Sequence, residues 1–190
     1  MTKTHMNKQQ QQEIVSTPHT RREGLGEESE GRVTSLLFIC LGNICRSPAA
    51  EGVMKHIVER EGRDADFLID SAGIGGWHVG QLPDHRMRRR GAARGYDFCS
   101  RARQFSAADF QRFDMILVMD RENYYDVKRL ALNSDDVQKI KMLPDFMTRH
   151  PGQPTIPDPY YGDIADFDFA LDLIEDACEG LFVYLCANNH

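Results

Sequence analysis

The chain has 190 residues, of which 41% are hydrophobic and 27% are charged, so it suits a single domain with its own hydrophobic core. Its formal net charge of −6 argues against a nucleic-acid-binding protein, since such proteins carry a basic face. Five cysteines without a regular framework argue against a secreted disulfide scaffold, and no apolar run suits a membrane span or a signal peptide. We therefore expect a cytoplasmic protein with reduced thiols, no nucleic-acid partner and no membrane attachment.

Residues 1–33 are predicted to form a disordered N-terminal tail. They contain a glutamine run from Gln9 to Gln12 and lack the apolar periodicity that would offset the entropy lost on ordering. A regulatory arm is the alternative interpretation of this segment. The rest of the chain, residues 34–190, is predicted to be one domain.

The predicted domain begins with a strand, a loop and a helix. Residues 35–39 are almost continuously apolar, which is typical of a strand buried on both faces of a parallel sheet. Gly42 and Asn43 favour backbone conformations outside regular structure, so a loop follows the strand. Ser47 is then a good N-cap and Pro48 suits a first helical position, which predicts a helix from there.

Strands and helices continue to alternate along the chain. Further strands are predicted at residues 67–69, 113–119 and 137–143, and further helices at 84–94, from an Asp120 cap to about 131, and at 166–186. Residues 144–160 contain five prolines and are predicted to be loop. The alternation indicates a small doubly wound, flavodoxin-like α/β fold: a four-stranded parallel sheet with helices on both faces. Ligands of such folds bind beyond the carboxyl ends of the strands.

The first strand ends at a candidate nucleophile. Cys40 stands where the strand meets the loop, and the backbone amides from Leu41 to Arg46 can converge there as an anion cradle. The helix dipole adds positive potential, and the Arg46 fork matches two phosphate oxygens. These influences favour the thiolate of Cys40 over the thiol. The segment therefore predicts a thiolate directed at phosphorus.

Three loop residues are expected to support this chemistry. Gly42 lets the backbone approach a phosphate closely, and Asn43 suits a left-handed position from which its side chain can hold the loop. The hydroxyl of Ser47 can donate to the sulfur of Cys40. That bond would stabilise the thiolate and ease its departure in a second step.

A candidate acid lies far along the chain. Hydrolysis of an aryl phosphate needs an acid that protonates the leaving oxygen and then a base that activates water. Asp158 lies between Pro157 and Pro159, which stiffen its loop, and Tyr160 and Tyr161 could form an aromatic wall. An aspartate between prolines is also ordinary turn chemistry, so its position alone leaves both interpretations open.

Five segments together resemble the low-molecular-weight protein tyrosine phosphatases, in the order of that family. They are residues 40–51 (CLGNICRSPAAE), 70–73 (DSAG), 76–80 (GWHVG), 101–104 (RARQ) and 158–162 (DPYYG). The resemblance covers about residues 36–185. It implies a phosphotyrosine phosphatase I-like fold, no metal or cofactor, and hydrolysis of phosphotyrosine and small aryl phosphates through a phosphocysteine.

The resemblance also implies roles for individual residues. Cys40 would be the nucleophile, Arg46 the phosphate clamp and Asp158 the general acid and base. The phosphate-binding loop would comprise Leu41, Gly42, Asn43, Ile44, Cys45 and Ser47; its supporting network would add Ser71, Asp84 and Asp120; and the substrate cleft would be lined by Leu41, Ile44, Trp77, Tyr160 and Tyr161. The expected partners are tyrosine-phosphorylated proteins and inorganic phosphate, with the enzyme a monomer or weak dimer.

Several interpretations remain open from the sequence. Residues 83–86 lack a second proline that the family often carries, which would loosen a supporting loop. Cys45 is either a disulfide partner of Cys40 under oxidation or a plain loop residue. The arginine run from Arg86 to Arg90 is interpreted as a solvated helix face. Arsenate reductase, with Cys99 as a relay, protein arginine phosphatase and a phosphotyrosine-binding pseudophosphatase are the alternative functions.

Overall fold

The structure, a computed structural model, describes residues 32–188 and confirms the predicted α/β fold. Its strands are β1 (Thr34–Cys40), β2 (Phe67–Gly73), β3 (Met115–Val118) and β4 (Ile140–Met142). They pair in parallel and lie in the order β2-β1-β3-β4. The predicted N-terminal tail falls, up to residue 31, outside the described residues.

Helices connect the strands and cover the sheet. They are α1 (Arg46–Arg60), α2 (His85–Ala93), α3 (Asp109–Arg112), α4 (Arg121–Lys128), α5 (Ser134–Lys139) and α6 (Ile164–Asn188), with 3₁₀ turns at Asp64–Asp66 and Leu143–Phe146. The sequence predicted neither α3 nor the two 3₁₀ turns, because each is a single turn or little more and carries too few residues for a recognisable period.

The central strand explains why both faces of the sheet are covered. Leu36 and Phe38 of β1 pack in one hydrophobic cluster with α1 and α6, while Leu37 and Ile39 pack in a second cluster with the elements around β3. All four side chains are fully buried. The continuous apolar run at residues 35–39 is therefore a strand between two helical layers, as predicted.

The predicted fourth strand was wrong over its first half. Residues 134–139 form α5, and the strand begins only at Ile140. The side chain of Asn133 caps α5 by accepting a hydrogen bond from the backbone N–H of Asp136 at 2.9 Å. Val137 and Ile140 are three residues apart, a spacing that fits a helix, so apolar spacing alone did not separate the two interpretations.

The predicted cap of the first helix was also wrong. Helix α1 begins at Arg46, one residue before Ser47, and the residue at its N-cap, Cys45, makes no side-chain capping bond. The hydroxyl of Ser47 lies instead 3.0 Å from the sulfur of Cys40. Pro48 stands within the first turn, where backbone N–H groups have no helical acceptor, so the helix accommodates it.

Helix α6 holds the start of the long loop that leads to Asp158. Asp176 is fully buried, and its carboxylate accepts hydrogen bonds from the backbone N–H groups of Thr148, Arg149 and His150 at 2.9–3.0 Å. Burial raises the pKa of Asp176, but these bonds, with those from the Thr148 and His150 side chains, lower it by more. The pKa therefore lies well below its usual range.

Replacing this carboxylate tests the anchor. Asp176→Asn is expected to lower the free energy of unfolding by about 3 kcal/mol at neutral pH, since an amide cannot accept all of these bonds. Because the folded-state pKa is depressed, the stabilisation is present above the unfolded value of about 4 and is lost as the pH falls below it. Urea unfolding of both proteins between neutral pH and about pH 3 measures the difference.

The matched control lies on the same helix. Glu179 forms an exposed ion pair with Arg60, so Glu179→Gln should change the stability by less than about 1 kcal/mol. If Asp176→Asn lowered the free energy of unfolding by as little as Glu179→Gln does, the anchoring role would be contradicted. A loss for Asp176→Asn that does not become smaller in acid would contradict it too.

Candidate active site

A cleft of about 340 Å³ opens at the carboxyl end of β1. It is lined by Cys40, Leu41, Gly42, Ile44, Cys45, Trp77, His78, Asp158, Tyr160 and Tyr161. The tertiary structure thus brings together residues that are more than 100 positions apart in the chain. The predicted nucleophile, the predicted acid and every predicted cleft residue line this one cleft. It lies at the edge of the sheet where ligands of parallel sheets bind.

A larger cavity, of about 460 Å³, lies at the amino ends of β1 and β3. Its two arginines are already paired with carboxylates, Arg32 with Asp114 and Arg63 with Asp66. Among the described residues that line this cavity, no positive group is therefore uncommitted and able to attract an anion.

The loop between β1 and α1 presents its backbone N–H groups to the cleft. The carbonyl groups of Cys40, Leu41 and Ile44 accept hydrogen bonds from the backbone of Ile74, Gly75 and Asp84 at 2.7–3.0 Å. In a planar peptide unit the following N–H points the opposite way, so these anchors turn the next N–H groups away from the surrounding chain. Within residues 32–188, none of the N–H groups of residues 41–46 donates to a protein acceptor.

Arg46 is a buried cation beside this loop. The residue is 2% exposed, and its Nη1 donates to Asp120 at 2.6 Å and to the carbonyl of Ile156 at 3.1 Å. Its Nη2 donates to Asp158 at 2.6 Å. Burial lowers the pKa of Arg46, but its negative neighbours, Cys40 first, raise it by more, so the group stays charged. Its Nε is buried without a partner in the described part of the chain, which leaves one donor for an anion.

Asn43 connects the loop to three neighbouring segments. Its φ of 56° is left-handed, a conformation that asparagine tolerates. Its Oδ1 accepts from the backbone N–H of Arg103 at 2.9 Å, which orients the amide so that Nδ2 donates to Ser47 Oγ at 2.9 Å and to Ser71 Oγ at 2.8 Å.

These bonds determine which acceptors remain for the hydroxyl protons of the two serines. Since each serine oxygen accepts from Asn43, each serine proton is free to be donated elsewhere. The proton of Ser71 goes to the buried carboxylate of Glu51 at 2.6 Å, and the hydroxyl of Ser47 lies 3.0 Å from Cys40 Sγ. The Ser47 proton has two acceptors within reach, the sulfur of Cys40 and, at 3.4 Å, the carbonyl of Ala72. A thiolate at Cys40 carries the charge that draws this proton, and the bond would stabilise it.

Sequence reasoning assigned no role to Glu51 or Gly73. Glu51 closes the hydrogen-bond chain and is itself paired with Lys55, at 2.5 Å. A side chain on Gly73 would place its Cβ 2.9 Å from the backbone of both Gly42 and Asn43, so only glycine lets the end of β2 pass under the loop. Both residues fall within the segments that resemble known phosphatases, but one sequence could not separate them from their neighbours.

Two further aspartates, both assigned to the supporting network from the resemblance, lie outside the loop and contact its neighbours. Asp120 caps α4 by accepting from the N–H of Asn123 at 2.8 Å and holds Arg46 with its other oxygen. The side chain of Asp84 caps α2 and pairs with Arg86 at 2.8 Å. Burial raises the pKa of Asp84, but the bonds and charge of Arg86 lower it below its usual value.

The arginine run on α2 is not the solvated face that was predicted. Only Arg88 and Arg89 are exposed. Arg86 is half-buried against Asp84, and Arg90 pairs with Asp168 of α6 at 2.6 Å. The acidic partners lie on other elements or before the helix, so the charge pattern of α2 alone could not reveal these contacts.

Aromatic and apolar side chains form the rim of the cleft. Trp77 is 70% exposed, and its ring lies so close to Gly75 that a side chain at position 75 would displace the ring. The rings of Tyr160 and Tyr161 meet edge to face, with centroids 4.9 Å apart. His78 bonds to the side chain of Gln81 at 3.0 Å, as expected of a loop residue. The rim suits a flat aromatic group that enters toward Cys40.

The five cysteines are free thiols in different surroundings. Cys45 is buried, and that burial, with the nearby Cys40, raises its pKa far above the usual range. Cys45 is therefore not the exposed, acidic thiol that a readily oxidised partner would be. Cys99 is exposed and does not line the cleft. Residues 32–188 hold no group of three His, Cys, Asp or Glu side chains able to bind a metal ion.

Several known proteins are similar to this chain in sequence and in fold. Residues 35–190 match the family model described as low molecular weight phosphotyrosine protein phosphatase. A relative from Synechocystis, whose name places it among the low molecular weight protein-tyrosine-phosphatases, is 46% identical over 79% of this chain and 95% of its own. A solved protein tyrosine phosphatase from Entamoeba histolytica is 42% identical, with a TM-score of 0.79 over 83% of this chain and 99% of its own. A solved Drosophila arginine phosphatase is 31% identical, with a TM-score of 0.75 over 80% and 98%.

Removing one hydroxyl tests the donor to Cys40. Ser47→Ala should lower the rate at which iodoacetate alkylates Cys40 near pH 6 by about tenfold, since one hydrogen bond to a charged group is lost. Mass spectrometry of the labelled peptides measures the rate, and alkylation of the exposed Cys99 in the same sample is the internal control. An unchanged rate at Cys40 would show that Ser47 does not stabilise the thiolate.

Proposed function

The chain belongs to the low molecular weight phosphotyrosine protein phosphatase family and is a protein-tyrosine phosphatase, and we propose that it acts through a phosphocysteine formed on Cys40. One observation carries the assignment of residues. The sulfur of Cys40 lies 3.0 Å from the Ser47 hydroxyl, beside loop N–H groups and an Arg46 Nε that have no protein partner within residues 32–188. This arrangement is suited to hold a phosphoryl group against a thiolate.

In the first step the thiolate attacks phosphorus. The sulfur–phosphorus bond forms while the bond from phosphorus to the aryl oxygen breaks, and the electron pair leaves with that oxygen. Asp158 donates a proton to it, so a neutral phenol departs instead of a phenolate. The loop N–H groups and Arg46 hold the three remaining phosphoryl oxygens through the transition state.

In the second step water displaces the sulfur of Cys40 from phosphorus. Asp158, now ionised, takes a proton from the water as its oxygen attacks phosphorus, and the sulfur–phosphorus bond breaks. The electron pair returns to Cys40, where the Ser47 hydroxyl stabilises the thiolate. Inorganic phosphate leaves as the product and is expected to inhibit by binding the same cradle.

Substrate binding must also release Asp158. Without substrate, Asp158 is bonded to Arg46 Nη2 through one oxygen and to the N–H of Tyr160 through the other. A phosphate dianion that takes the Nη2 donor displaces the carboxylate from its cation. The carboxylate, now beside a second negative charge, takes up a proton from solvent and faces the leaving oxygen as an acid. The acid is thereby brought into use when its substrate is present.

We also propose where and on what the enzyme acts. The apolar rim suits the ring of phosphotyrosine, so tyrosine-phosphorylated proteins are the proposed substrates of a monomer or weak dimer in the cytoplasm. None of the helices within residues 32–188 is long and apolar enough to span a bilayer. In the reduced protein, burial and the neighbouring Cys40 raise the pKa of Cys45 and keep it a neutral thiol. A disulfide between the two would therefore follow oxidation of Cys40, which removes that neighbouring charge.

Protein arginine dephosphorylation is the second candidate, since the solved Drosophila arginine phosphatase has this fold. Ile44 lines the cleft, and a bulky aliphatic side chain there favours an aromatic ring over the polar guanidinium. Arsenate reduction is less favoured, because Cys99 stands apart from the cleft and cannot relay a disulfide from Cys40 without rearrangement.

Substrate choice tests the function. The enzyme should hydrolyse a phosphotyrosine peptide with a kcat/KM at least about tenfold above that for a phosphoarginine peptide of otherwise identical sequence. Phosphate release measures both rates. Cys40→Ser should abolish turnover on both peptides yet still bind inorganic phosphate, which separates loss of the nucleophile from loss of the fold. The reverse preference would favour the arginine phosphatase.

The role of Asp158 has its own test. Asp158→Ala should lower kcat/KM for phosphotyrosine by about 100-fold, since a poor leaving group needs the proton. The loss for para-nitrophenyl phosphate should be much smaller, because that leaving group departs as the anion. Equal losses on the two substrates would remove Asp158 from the acid role.

A further inference from the structure

Arg86 differs from the other arginines of α2 in what it contacts. Its side chain is 26% exposed, whereas Arg88 and Arg89 are exposed. The guanidinium lies over the ring of Phe167, 4.4 Å from its centroid, and over that of Tyr160 at 5.7 Å. These contacts hold the planar group between α2, the start of α6 and the loop that carries Asp158.

On one side, Arg86 is joined to the phosphate-binding loop through Asp84. Its Nε donates to Asp84 Oδ1 at 3.0 Å and its Nη2 to Asp84 Oδ2 at 2.8 Å, a two-pronged pair. The backbone N–H of Asp84 in turn donates to the carbonyl of Ile44 at 2.7 Å. Two hydrogen bonds in series thus connect the guanidinium to the Ile44–Cys45 peptide unit, which orients the N–H of Cys45.

On the other side, Arg86 is joined to the acid. Its Nη2 also donates to the carbonyl of Tyr160 at 3.0 Å. The backbone N–H of Tyr160 donates to Asp158 Oδ1 at 3.2 Å, so the residue held by Arg86 also holds the carboxylate. Pro159 between them has a fixed φ, which transmits the position of Tyr160 to Asp158.

We propose that Arg86 is a positioning residue that links the phosphate-binding loop to the acid loop and aims Asp158 at the leaving oxygen. This inference rests on the proposed function, because it concerns the proton that Asp158 donates. When substrate takes Nη2 of Arg46, Asp158 loses its bond to that arginine. The contact through Tyr160 is then the one that still fixes the carboxylate relative to the bound phosphoryl group.

Arginine is required here for its shape as well as its charge. One planar fork serves both oxygens of Asp84 and the carbonyl of Tyr160 while stacking on two rings. Lysine would keep a positive charge near Asp84, but a single nitrogen cannot hold the two loops at that spacing.

The experiment compares variants of the full chain on a series of aryl phosphates whose phenols differ in acidity. kcat/KM is measured for the wild type, Arg86→Met, Arg86→Lys and Asp158→Ala. Arg86→Met fills similar space against Phe167 without donating hydrogen bonds. Arg89→Met is the matched control, since it removes an exposed arginine from the same helix. Inhibition by inorganic phosphate and the melting temperature are measured for each variant.

A specific pattern is expected. Arg86→Met should lower kcat/KM about tenfold for phosphotyrosine and less than about twofold for para-nitrophenyl phosphate, so its dependence on leaving-group acidity steepens toward that of Asp158→Ala. Arg86→Lys should lie between Arg86→Met and the wild type, and Arg89→Met should match the wild type. Inhibition by phosphate should change less than about threefold in Arg86→Met, because the cradle itself remains.

Other patterns would overturn the inference. If Arg86→Met lowered kcat/KM equally for every substrate in the series, Arg86 would support the fold without aiming the acid. The same conclusion would follow if a fall in phosphate affinity accounted for the whole loss of kcat/KM. Full activity of Arg86→Met would also overturn it. If Asp158→Ala kept the wild-type dependence on leaving-group acidity, the acid assignment would fail, and that result is distinct from a failure of Arg86 alone.

Discussion

The buried guanidinium of Arg46 is the group on which the rest of the site depends. A charge that is 2% exposed must be compensated, and the structure does so with Asp120 after β3, the carbonyl of Ile156 and the carboxylate of Asp158. These contacts join three distant parts of the chain at one point. The Nε, which has no partner among the described residues, gives that point its preference for an anion.

The surrounding structure then orients groups that could otherwise rotate. Loop carbonyls are held from outside, so the following N–H groups turn toward the cleft, and the amide of Asn43 donates to two serine oxygens, which leaves their protons for other acceptors. A chain with a net charge of −6 thereby presents a local site for phosphate. Short-range donors in a partly buried cleft outweigh a weak and screened overall field.

The acid is held less directly than the nucleophile. Cys40 and Arg46 lie on one strand–loop–helix unit, whereas Asp158 reaches them from a long, proline-rich loop. Asp176 fixes the start of that loop to α6, and Arg86 contacts it two residues beyond Asp158. In the proposed mechanism Asp158 changes partners during turnover, and that role suits a combination of firm anchors and one exchangeable bond.

The sequence by itself determined the first strand–loop–helix unit. Its parts follow one another along the chain: a buried strand, a cysteine, a loop that contains Asn43, and an arginine at the start of the next helix. Those features are local, because strand, loop and helix N-terminus are adjacent in the chain and their geometry follows from it. Resemblance then located Asp158, which its own surroundings in the sequence left ambiguous. The alternation of apolar segments was likewise enough for the sheet and its two helical layers.

Only the tertiary structure decided the contacts between distant segments. Glu51, Gly73, Arg86 and Asp176 look like ordinary helix or strand residues until the partners that pack against them are known. The same holds for α5, whose Asn133 cap outweighed an apolar spacing that also fits a strand. Local preferences differ by little in free energy, whereas burial and hydrogen bonding among segments far apart in sequence contribute more and settle the outcome.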